Sequence, residues 1–477
     1  ENLNISLIKP KLILKEIWEE LDLIIFIGSV GAAIRLISPF LSSKDKDPGV
    51  IVIDKKGSKI IPIIGAHQSN IQNISFQICN LFGGEIIETN NSIDQNYLNI
   101  DSFGNQWGWK RSGEVKDWSE IVIKQANNKE IFCNQLSGNN LWKTSESGNT
   151  ITQLSGKDDG EKKSSFQISI FSTHKNTWHP PTLWIGLGCE RNTSKELIED
   201  SLKRYLETNN LSPLSIAGFA TIDLKKDEHA ILKISKERNL PLKFFTSVEL
   251  SKVNTPNPSN VVLNEIGTPS VAEAACILAA GEGSKLLKEK KIFKSIDSSK
   301  NTFGAVTIAV AESESQYSPF TGEIHVVGSG PGDISYLTND ARKALSKCSI
   351  WIGYKMYLDL IKPLKRKDQV LIESNLTEEK KRCEKAIKLA EEGIKVALIS
   401  SGDAGFYGMA GLLLELIQKV SKEFRPLFEV HPGISSMQLA AALGGAPLMN
   451  DFCSISLSDK LTPWESIEKR IAGALLG

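Results

Sequence analysis

The sequence predicts an α/β fold with several α/β domains, because short apolar runs repeatedly end in glycine turns and lead into helical spacing. The clearest example is residues 323–333, Glu-Ile-His-Val-Val-Gly-Ser-Gly-Pro-Gly-Asp, a predicted strand followed by a glycine loop. Two further loops, Ser-Ser-Gly-Asp-Ala-Gly-Phe-Tyr-Gly at 400–408 and His-Pro-Gly-Ile-Ser-Ser at 431–436, follow predicted strands at 394–399 and 427–430. Parallel strands end at one edge of a sheet, so the three loops are expected to meet where open α/β sheets bind ligands.

The loop after residue 328 differs from the dinucleotide-binding fingerprint. That fingerprint needs its last glycine to open a helix whose free N–H groups hold a pyrophosphate. Here Pro331 lacks an N–H, and the next helix is predicted to begin only near Thr338. A nucleotide-dependent oxidoreductase is therefore disfavoured.

Taken together, the three loops resemble those of the tetrapyrrole methylases, S-adenosylmethionine (SAM)-dependent enzymes that methylate the corrin precursor ring. The likeness continues through Trp-Ile-Gly-Tyr-Lys-Met-Tyr at 351–357, Gly-Met-Ala-Gly at 408–411, Ala-Pro-Leu at 446–448 and Ile-Ser-Leu-Ser-Asp-Lys-Leu-Thr-Pro-Trp-Glu at 455–465. It is most similar to the precorrin-3B C17-methyltransferase branch, called cobalt-factor III methyltransferase in the anaerobic route. The resemblance implies the two-lobed class III SAM methyltransferase fold. Residues 323–477 would supply its first lobe, so the second lobe is expected to be missing from this sequence.

Length and composition favour several folded domains and exclude some partners. A chain of 477 residues suggests about three units, since domains usually span about 100–200 residues. The 56 basic and 56 acidic side chains balance, so no nucleic-acid or membrane partner is expected. Seven cysteines, scattered singly, predict reduced thiols and a cytoplasmic protein. Six dispersed histidines predict no metal site, and a first residue other than Met predicts that the true start is missing.

Residues 1–90 are predicted to form a small α/β domain. A strand at 21–28 leads into a helix at 32–41, strands at 50–54 and 59–64 form a hairpin, and a helix follows at 71–82. This block resembles the N-terminal domain of cobalt-precorrin-5A hydrolase through residues 28–39, residues 47–54 and His67. The sequence departs from that family after His67, where Gln-Ser-Asn replaces a glycine-rich run and leaves the loop less backbone freedom.

Residues 91–180 and 181–312 resemble the remaining parts of the same hydrolase family. The first is predicted to be a small, irregular middle domain with a loose segment at 145–163 and five tryptophans, at 107, 109, 118, 142 and 178. The second is predicted to be α/β, with a helix capped by Ser194 and another opened by a capping box of Ser270 and Glu273. Its strands are expected near 183, at 215–222, at 242–245 and at 305–311, and residues 313–322 are the predicted linker.

The methylase resemblance implies a set of SAM-contacting residues in the three loops. SAM carries a sulfonium cation, so its site needs carbonyl or carboxylate oxygens, small residues and apolar cover. The implied contacts are Pro331, Ser401, Gly402, Asp403, Phe406, Ser435 and Ser436. Helix capping is the alternative role for Asp403 and the serines.

The substrate side of the methylase is less specific in the sequence. Tyr354 stands where some members of the superfamily place a carboxylate base. Tyr354 and Tyr357 either line a trough for the macrocycle or pack against each other. Lys355 and Arg342 are candidates for pairing with the substrate's carboxylates, and solvated helix faces are the alternative.

The hydrolase resemblance implies that water opens a ring lactone and that a two-carbon unit then leaves as acetaldehyde. Such a reaction needs a base near neutral pKa and a group that stabilises the oxyanion. His67 is the candidate base and Arg35 the candidate partner of a carboxylate, with Glu273 and Asp223 as weaker choices. Cys189 is expected to pack as a small apolar residue, because no base is identifiable beside it.

The sequence therefore predicts a cytoplasmic, bifunctional enzyme of cobalamin (vitamin B12) biosynthesis that uses SAM. Its expected substrate is a corrin precursor, with or without cobalt, and the resemblance implies a homodimer through the methylase part. The rival interpretation is a non-catalytic corrinoid-binding module fused to a methylase acting on another tetrapyrrole, such as uroporphyrinogen. The stretches Gly-Tyr-Lys-Met-Tyr and Leu-Thr-Pro-Trp argue against a methylase for another tetrapyrrole, and the corrinoid-binding module stays open.

Overall fold

The computed structural model describes residues 10–43, 46–65, 71, 74–75, 78, 82, 84–87, 97–154, 164–297, 299, 301–448, 451–458 and 462–476. These residues contain four sheets, and the predicted α/β class is confirmed. The chain divides into two compact units. Unit 1 comprises residues 1–138, 146–180 and 210–215, and unit 2 comprises residues 139–145, 181–209 and 216–477.

The first sheet of unit 1 follows the sequence prediction closely. Its strands, in spatial order, are β1 Leu23–Ile27, β2 Gly49–Ile53, β3 Lys59–Ile64 and β4 Glu85–Ile86, with helices α1 Pro10–Ile17 and α2 Val30–Ile37. Strands β2 and β3 pair antiparallel, which confirms the predicted hairpin. Helix α2 is capped by Ser29 and ends at Ile37, earlier than expected. Most of the helix predicted at 71–82 lies outside the described residues.

The second sheet of unit 1 packs against an aromatic core. Its spatial order is β5-β9-β8-β6-β7, formed by β5 Lys110–Ser112, β6 Phe132–Gln135, β7 Thr152–Leu154, β8 Phe166–Ile168 and β9 Thr177–His179, with helix α3 Val115–Ala126. The rings of Trp109 and Trp178 meet Phe103 edge to face. The predicted loose segment at 145–163 is wrong in its first part, because β7 pairs with β6 there.

The third sheet, in unit 2, has the spatial order β12-β11-β10-β14-β13. Its elements are β10 Leu183–Cys189, α4 Lys195–Thr208, β11 Ile216–Ile222, α5 His229–Arg238, β12 Leu242–Phe245, α6 Ser247–Ser251, α7 Asn260–Ile266, α8 Ala272–Ala280, β13 Lys285–Asp297 and β14 Thr302–Glu312. A Cβ on Gly186 would lie only 1.8 Å from the carbonyl oxygen of Ala272. Glycine at this position therefore lets α8 pack closely against β10.

Two details of this region differ from the sequence prediction. Helix α8 begins at Ala272 after Val271, and no side chain caps it, so the predicted capping box is wrong. The Ser270 hydroxyl instead donates to the Glu273 carboxylate at 3.3 Å. The edge strand β13 was not predicted, because its many lysines hide the alternation of a strand.

The fourth sheet is entirely parallel, with the spatial order β17-β16-β18-β15-β19. Its elements are β15 Glu323–Gly328, α9 Asn339–Lys347, β16 Ile350–Tyr354, α10 Lys355–Ile361, β17 Val370–Ser374, α11 Glu379–Glu391, β18 Lys395–Ser400, α12 Ala410–Ile417, β19 Leu427–His431, α13 Ser436–Leu443 and α14 Trp464–Ala474. Thr338 caps α9, so this helix begins where the sequence predicts. Residues from both strands and helices, among them Trp351, Leu358 and Ile399, form its core.

The predicted linker at 313–322 is hydrogen-bonded to its surroundings within unit 2. The N–H of Tyr317 donates to the carbonyl of Pro181 at 2.9 Å, and the N–H of Ser318 donates to the carbonyl of Glu391 at 2.7 Å. These bonds connect the segment to residues on either side of it in the chain. Among the residues that the structure describes, none of the helices is both long and apolar enough to cross a membrane.

Candidate functional site

The parallel sheet brings the three glycine loops together, as the sequence predicts. Strands β18, β15 and β19 are neighbours, and the loops leave them at the same edge. The N–H of Gly330 donates to the carbonyl of Gly402 at 3.1 Å, and the N–H of Gly402 donates back at 2.9 Å. The first two loops are therefore joined through their backbones.

Two glycines allow the third loop to approach the others. A Cβ on Gly433 would lie 2.1 Å from the carbonyl oxygen of Gly402 and 2.8 Å from the carbonyl group of Gly328. A Cβ on Gly328 would lie 2.6 Å from the nitrogen of Gly433. These neighbours are backbone atoms, which cannot rotate away as a flexible side chain can. Only glycine fits at both positions.

The Asp403 carboxylate connects the second loop to the third. Its Oδ1 accepts the N–H groups of Gly405 and Phe406, both at 2.9 Å, and its Oδ2 accepts the N–H of Gly433 at 3.0 Å. Asp403 does not cap a helix, because α12 begins after Met409 without a side-chain cap. A carboxylate has about four acceptor positions, so these three bonds leave capacity for a ligand.

The three serines considered for SAM binding differ in their surroundings. Ser435 is buried and caps α13, since its hydroxyl accepts the N–H of Gln438 at 3.2 Å. The Gln438 side chain accepts the N–H of Ser435 at 2.8 Å, which completes a capping box. Ser401 and Ser436 are exposed, at the end of β18 and the first position of α13.

A cavity of about 140 Å³ opens beside the second loop. The rings of Tyr354 and Tyr357 meet edge to face there, with centroids 5.3 Å apart. These two tyrosines therefore pack against each other and also line the cavity. The full lining is Tyr354, Tyr357, Leu376, Glu379, Arg382, Ile399, Ser400, Ser401, Tyr407, Gly408 and Met409.

Arg382 supplies a buried positive charge to this cavity and is not among the site residues predicted from the sequence. The side chain is only 5% exposed and donates to Glu379 Oε1 at 3.1 Å and to the carbonyl of Asn375 at 3.3 Å. Its Nε is buried without a hydrogen-bond partner. A buried donor left unpaired costs about 1–3 kcal/mol, so the protein keeps Arg382 at this position at a measurable cost. The signal in the sequence is an arginine on the apolar face of α11, shared with Cys383, Ala386, Ile387, Leu389 and Ala390.

The loop residues fit the chemical requirements of SAM. The Asp403 carboxylate offers negative charge where the second and third loops meet. A Cβ on Gly332 would meet no atom within 4 Å, so this loop leaves open space beside half-buried Pro331. The exposed rings of Phe406 and Tyr407, with centroids 4.9 Å apart, provide apolar surface. The three loops therefore contain the carboxylate, the small residues and the apolar surface that a SAM site requires.

The two cations proposed for the substrate trough have protein partners. The Lys355 ammonium lies 3.1 Å from Glu373 Oε2 on an exposed surface. The Arg342 guanidinium donates to the carbonyl of Ile334 at 2.6 Å and so supports the first loop. Neither side chain lines the cavity.

The residues predicted for hydrolysis occupy both units. His67 lies outside the described residues. Arg35 is exposed in the last turn of α2, in unit 1. Asp223 follows β11 in unit 2 and begins a short 3-10 turn. Burial raises the pKa of the Cys189 thiol to about 11, so a packing role fits it better than a nucleophilic one.

Glu273 is a fully buried carboxylate with both oxygens engaged. Its Oε1 accepts from the Asn257 side-chain amide at 2.9 Å and from the N–H of Lys290 at 3.0 Å. Its Oε2 accepts from the Ser270 hydroxyl. These bonds connect α8 to β13 and to the loop before α7, which indicates a structural role.

Three protein families match separate parts of the chain. The family described as Cobalamin synthesis G N-terminal matches residues 12–92, Cobalamin synthesis G C-terminus matches residues 183–311, and Tetrapyrrole (Corrin/Porphyrin) Methylases matches residues 323–477. The chain carries cobalamin synthesis G domains and a tetrapyrrole methylase domain. The methylase domain contains all three glycine loops, so the resemblance stated from their residues is confirmed.

Named relatives match the two parts of the chain separately. A cobalt-factor III methyltransferase of Priestia megaterium is 52% identical over 155 residues, which are 32% of this chain and 28% of the relative. A probable cobalt-factor III C(17)-methyltransferase of Salmonella typhimurium is 51% identical over 153 residues, 32% of this chain and 61% of the relative. A cobalt-precorrin-5A hydrolase of Priestia megaterium is 28% identical over 319 residues, 63% of this chain and 81% of the relative. The chain thus spans less than two thirds of the length of either methyltransferase.

The methylase domain also brings two distant histidines into contact. His325 on β15 and His431 at the end of β19 are 106 residues apart in the chain, and their rings lie within hydrogen-bonding distance. The sequence predicts no metal site, because its six histidines are dispersed. The pair is not visible in the sequence, because only the neighbouring positions of β15 and β19 bring the two histidines together.

Proposed function

We propose that the chain is a bifunctional enzyme of cobalamin biosynthesis. The methylase domain transfers a methyl group from SAM to C17 of precorrin-3B or cobalt-factor III, with ring contraction. The cobalamin synthesis G domains hydrolyse the lactone of cobalt-precorrin-5A, with loss of acetaldehyde. The proposed methylase activity is supported by one observation: three glycine loops meet around Asp403 at one edge of a parallel sheet. The relatives that match each half support the choice of substrates.

Positioning accounts for most of the catalysis in the methylase half. When bound, SAM supplies a methyl group activated by the sulfonium charge, and in-line displacement then depends on how the two substrates are held. The residues proposed to hold SAM are Pro331, Ser401, Gly402, Asp403, Phe406, Ser435 and Ser436. Tyr354 lines the neighbouring cavity, and its proposed role is to orient the macrocycle. Arg382 lines the same cavity, and its guanidinium is proposed to attract a carboxylate of the corrin precursor.

The proposed hydrolase activity is supported more by the family matches than by the geometry of the described residues. His67 is the proposed base, and Arg35 is proposed to hold a substrate carboxylate. Glu273 is a poor candidate for the base, because three donors already occupy its oxygens. A cytoplasmic location and a homodimer through the methylase domain belong to the same proposal.

The two activities can be tested separately on the full product of the gene. With SAM carrying a labelled methyl group, label is expected to enter cobalt-factor III and not uroporphyrinogen. Methylation of uroporphyrinogen alone would contradict the substrate assignment.

Hydrolysis is tested by acetaldehyde release from cobalt-precorrin-5A. The His67→Ala variant is expected to lose this release, while His229→Ala, an exposed histidine of α5, retains it. Binding of cobalt-precorrin-5A without any acetaldehyde release by the unmodified protein would favour a corrinoid-binding module.

A further inference from the structure

A cluster of two histidines and one glutamate lies between β15 and β19, outside the proposed SAM contacts. His325 and His431 are 1% and 8% exposed, with ring centroids 5.1 Å apart. His325 Nδ1 lies 2.9 Å from His431 Nε2. Glu429 Oε2 lies 3.4 Å from the first nitrogen and 3.7 Å from the second. Three potential ligand atoms from two neighbouring strands therefore lie within 4.8 Å of one another.

The outer nitrogen of each histidine ring faces a carboxylate. His325 Nε2 lies 2.9 Å from Glu323 Oε2, and Glu323 also pairs with two lysines, Lys347 and Lys395. His431 Nδ1 lies 2.6 Å from Asp340 Oδ2. An ionised carboxylate only accepts hydrogen bonds, so each outer nitrogen carries a hydrogen.

This hydrogen-bond pattern sets the chemistry of the inner nitrogens. In a neutral imidazole, one nitrogen donates and the other accepts. When both rings are neutral and both outer nitrogens donate, His325 Nδ1 and His431 Nε2 present lone pairs to each other at 2.9 Å. Two facing lone pairs repel unless a cation lies between them, and the Glu429 carboxylate adds negative charge at the same point.

We propose that His325, Glu429 and His431 form a binding site for a divalent transition-metal ion of the zinc class. Two imidazoles and one carboxylate are a donor set that suits Zn²⁺, with the fourth position left to water. The carboxylates behind both histidines match the outer-shell pattern of metal-bound histidines, in which they fix the tautomer and orient the ring.

The side chains must adjust to accept the ion. Ligand bonds of about 2.0–2.2 Å in a tetrahedron separate the ligand atoms by about 3.3–3.5 Å. The separations here are 2.9, 3.4 and 3.7 Å, and the ring centroids lie 5.1 Å apart, so the two nitrogens must part, both rings must turn towards the ion and Glu429 must move inward. The Glu429 side chain is 46% exposed and can rotate, and its side of the cluster gives the ion a path from solvent.

The ion would have a structural effect close to the SAM loops. It would connect β15 to the edge strand β19, and through Asp340 it would connect both strands to α9. His431 immediately precedes the Pro432-Gly433 segment of the third loop. A bound ion would therefore hold the base of that loop in place. This role does not depend on the identity of the methyl acceptor.

Zinc binding to the full chain tests the site directly. Calorimetric titration with Zn²⁺ at about pH 8, where an ordinary imidazole is neutral, is expected to give one saturable site that involves this cluster. Removing a ligand by Glu429→Gln, or an outer-shell partner by Asp340→Ala, is expected to weaken binding by about 10–100-fold. Both side chains are exposed, so neither change should prevent folding. The control Glu423→Gln alters another exposed glutamate just before β19 and keeps every histidine and cysteine.

Co²⁺ provides a second readout, because its visible absorption reports the number and type of its ligands. The spectrum is expected to show imidazole ligation in the unmodified chain and in Glu423→Gln, and to change in Glu429→Gln. Zn²⁺ affinity that is equal in all four proteins would assign binding to another part of the chain and overturn the proposal. If no saturable binding is found, the two histidines share a proton instead of binding a metal ion, and the proposed metal site is overturned as well.

Discussion

Replacing Gly433 by Ala tests whether the three loops are packed backbone to backbone. The added Cβ would lie 2.1 Å from the carbonyl oxygen of Gly402 and 2.8 Å from the carbonyl carbon and oxygen of Gly328. Ordinary contacts of a Cβ exceed 3.0 Å. Because both neighbours are backbone, the third loop must move away from the other two by about 1 Å to restore normal packing density.

The size of the effect follows from the hydrogen bond that this movement stretches. The bond from Gly433 N–H to the Asp403 carboxylate involves a charged acceptor and is worth about 1.5–3 kcal/mol. The two bonds between Gly330 and Gly402 join the first loop to the second, so movement of the third loop leaves them in place. We therefore expect Gly433→Ala to lower the local free energy of unfolding by about 1.5–3 kcal/mol.

Hydrogen exchange of the loop amides measures this local stability, and urea denaturation measures the effect on the whole chain. The matched control is Gly411→Ala in α12, where a Cβ meets no atom within 4 Å. That change is expected to be neutral or to stabilise the helix by up to about 1 kcal/mol. Amide protection in Gly433→Ala equal to that in Gly411→Ala would refute the close packing of the loops.

Three further perturbations test other parts of the structure. Arg382→Gln is expected to raise KM for the corrin substrate about 10-fold, through loss of a charge-assisted hydrogen bond, and to leave SAM affinity unchanged. Lys381→Gln on the same helix is the control, and equal KM values in the two variants would contradict a role of Arg382 in substrate binding. Glu273→Ala leaves three donors without an acceptor and is expected to cost about 3 kcal/mol in urea denaturation, whereas exposed Glu265→Ala should cost little; equal costs would contradict the account. Burial lowers the pKa of Lys243 to about 8, so the folded chain binds fewer protons than the unfolded chain, and the free energy of unfolding should rise as the pH increases from about 8 towards the unfolded value near 10.4. Lys243→Met should remove about 2 kcal/mol of that rise, after allowance for solvent screening, and an unchanged pH dependence would refute it.

The loops and most of the strands could be predicted because their causes are local. Gly328 and Gly433 lie where two backbones are in contact, and the need for glycine at these positions is visible directly in the sequence. The apolar runs of β11 and β12 predict their strands closely. Residues 285–297 were missed, because an edge strand pairs on one side only and tolerates the charges that disguise it.

The parts of the site that escaped prediction depend on contacts between distant positions. Ser270 and Glu273 have the spacing of a capping box, but the carboxylate is used by Asn257 and by the N–H of Lys290. Those partners come from another loop and another strand, so the local pattern could not reveal them. Arg382 was detectable in principle, as a cation on an apolar helix face, but its unpaired Nε is a property of the folded cavity.

The most direct test of the central claim is SAM binding to the full product of the gene, measured by calorimetry. One SAM per chain is expected to bind, with at least about 10-fold weaker binding in Asp403→Ala, because that change removes a charge and releases three backbone N–H groups. Asp359→Ala, which removes an exposed aspartate of α10, should bind SAM like the unmodified protein. Equal affinity in Asp403→Ala, or no SAM binding by the unmodified protein, would contradict the assignment of the three loops as the SAM site.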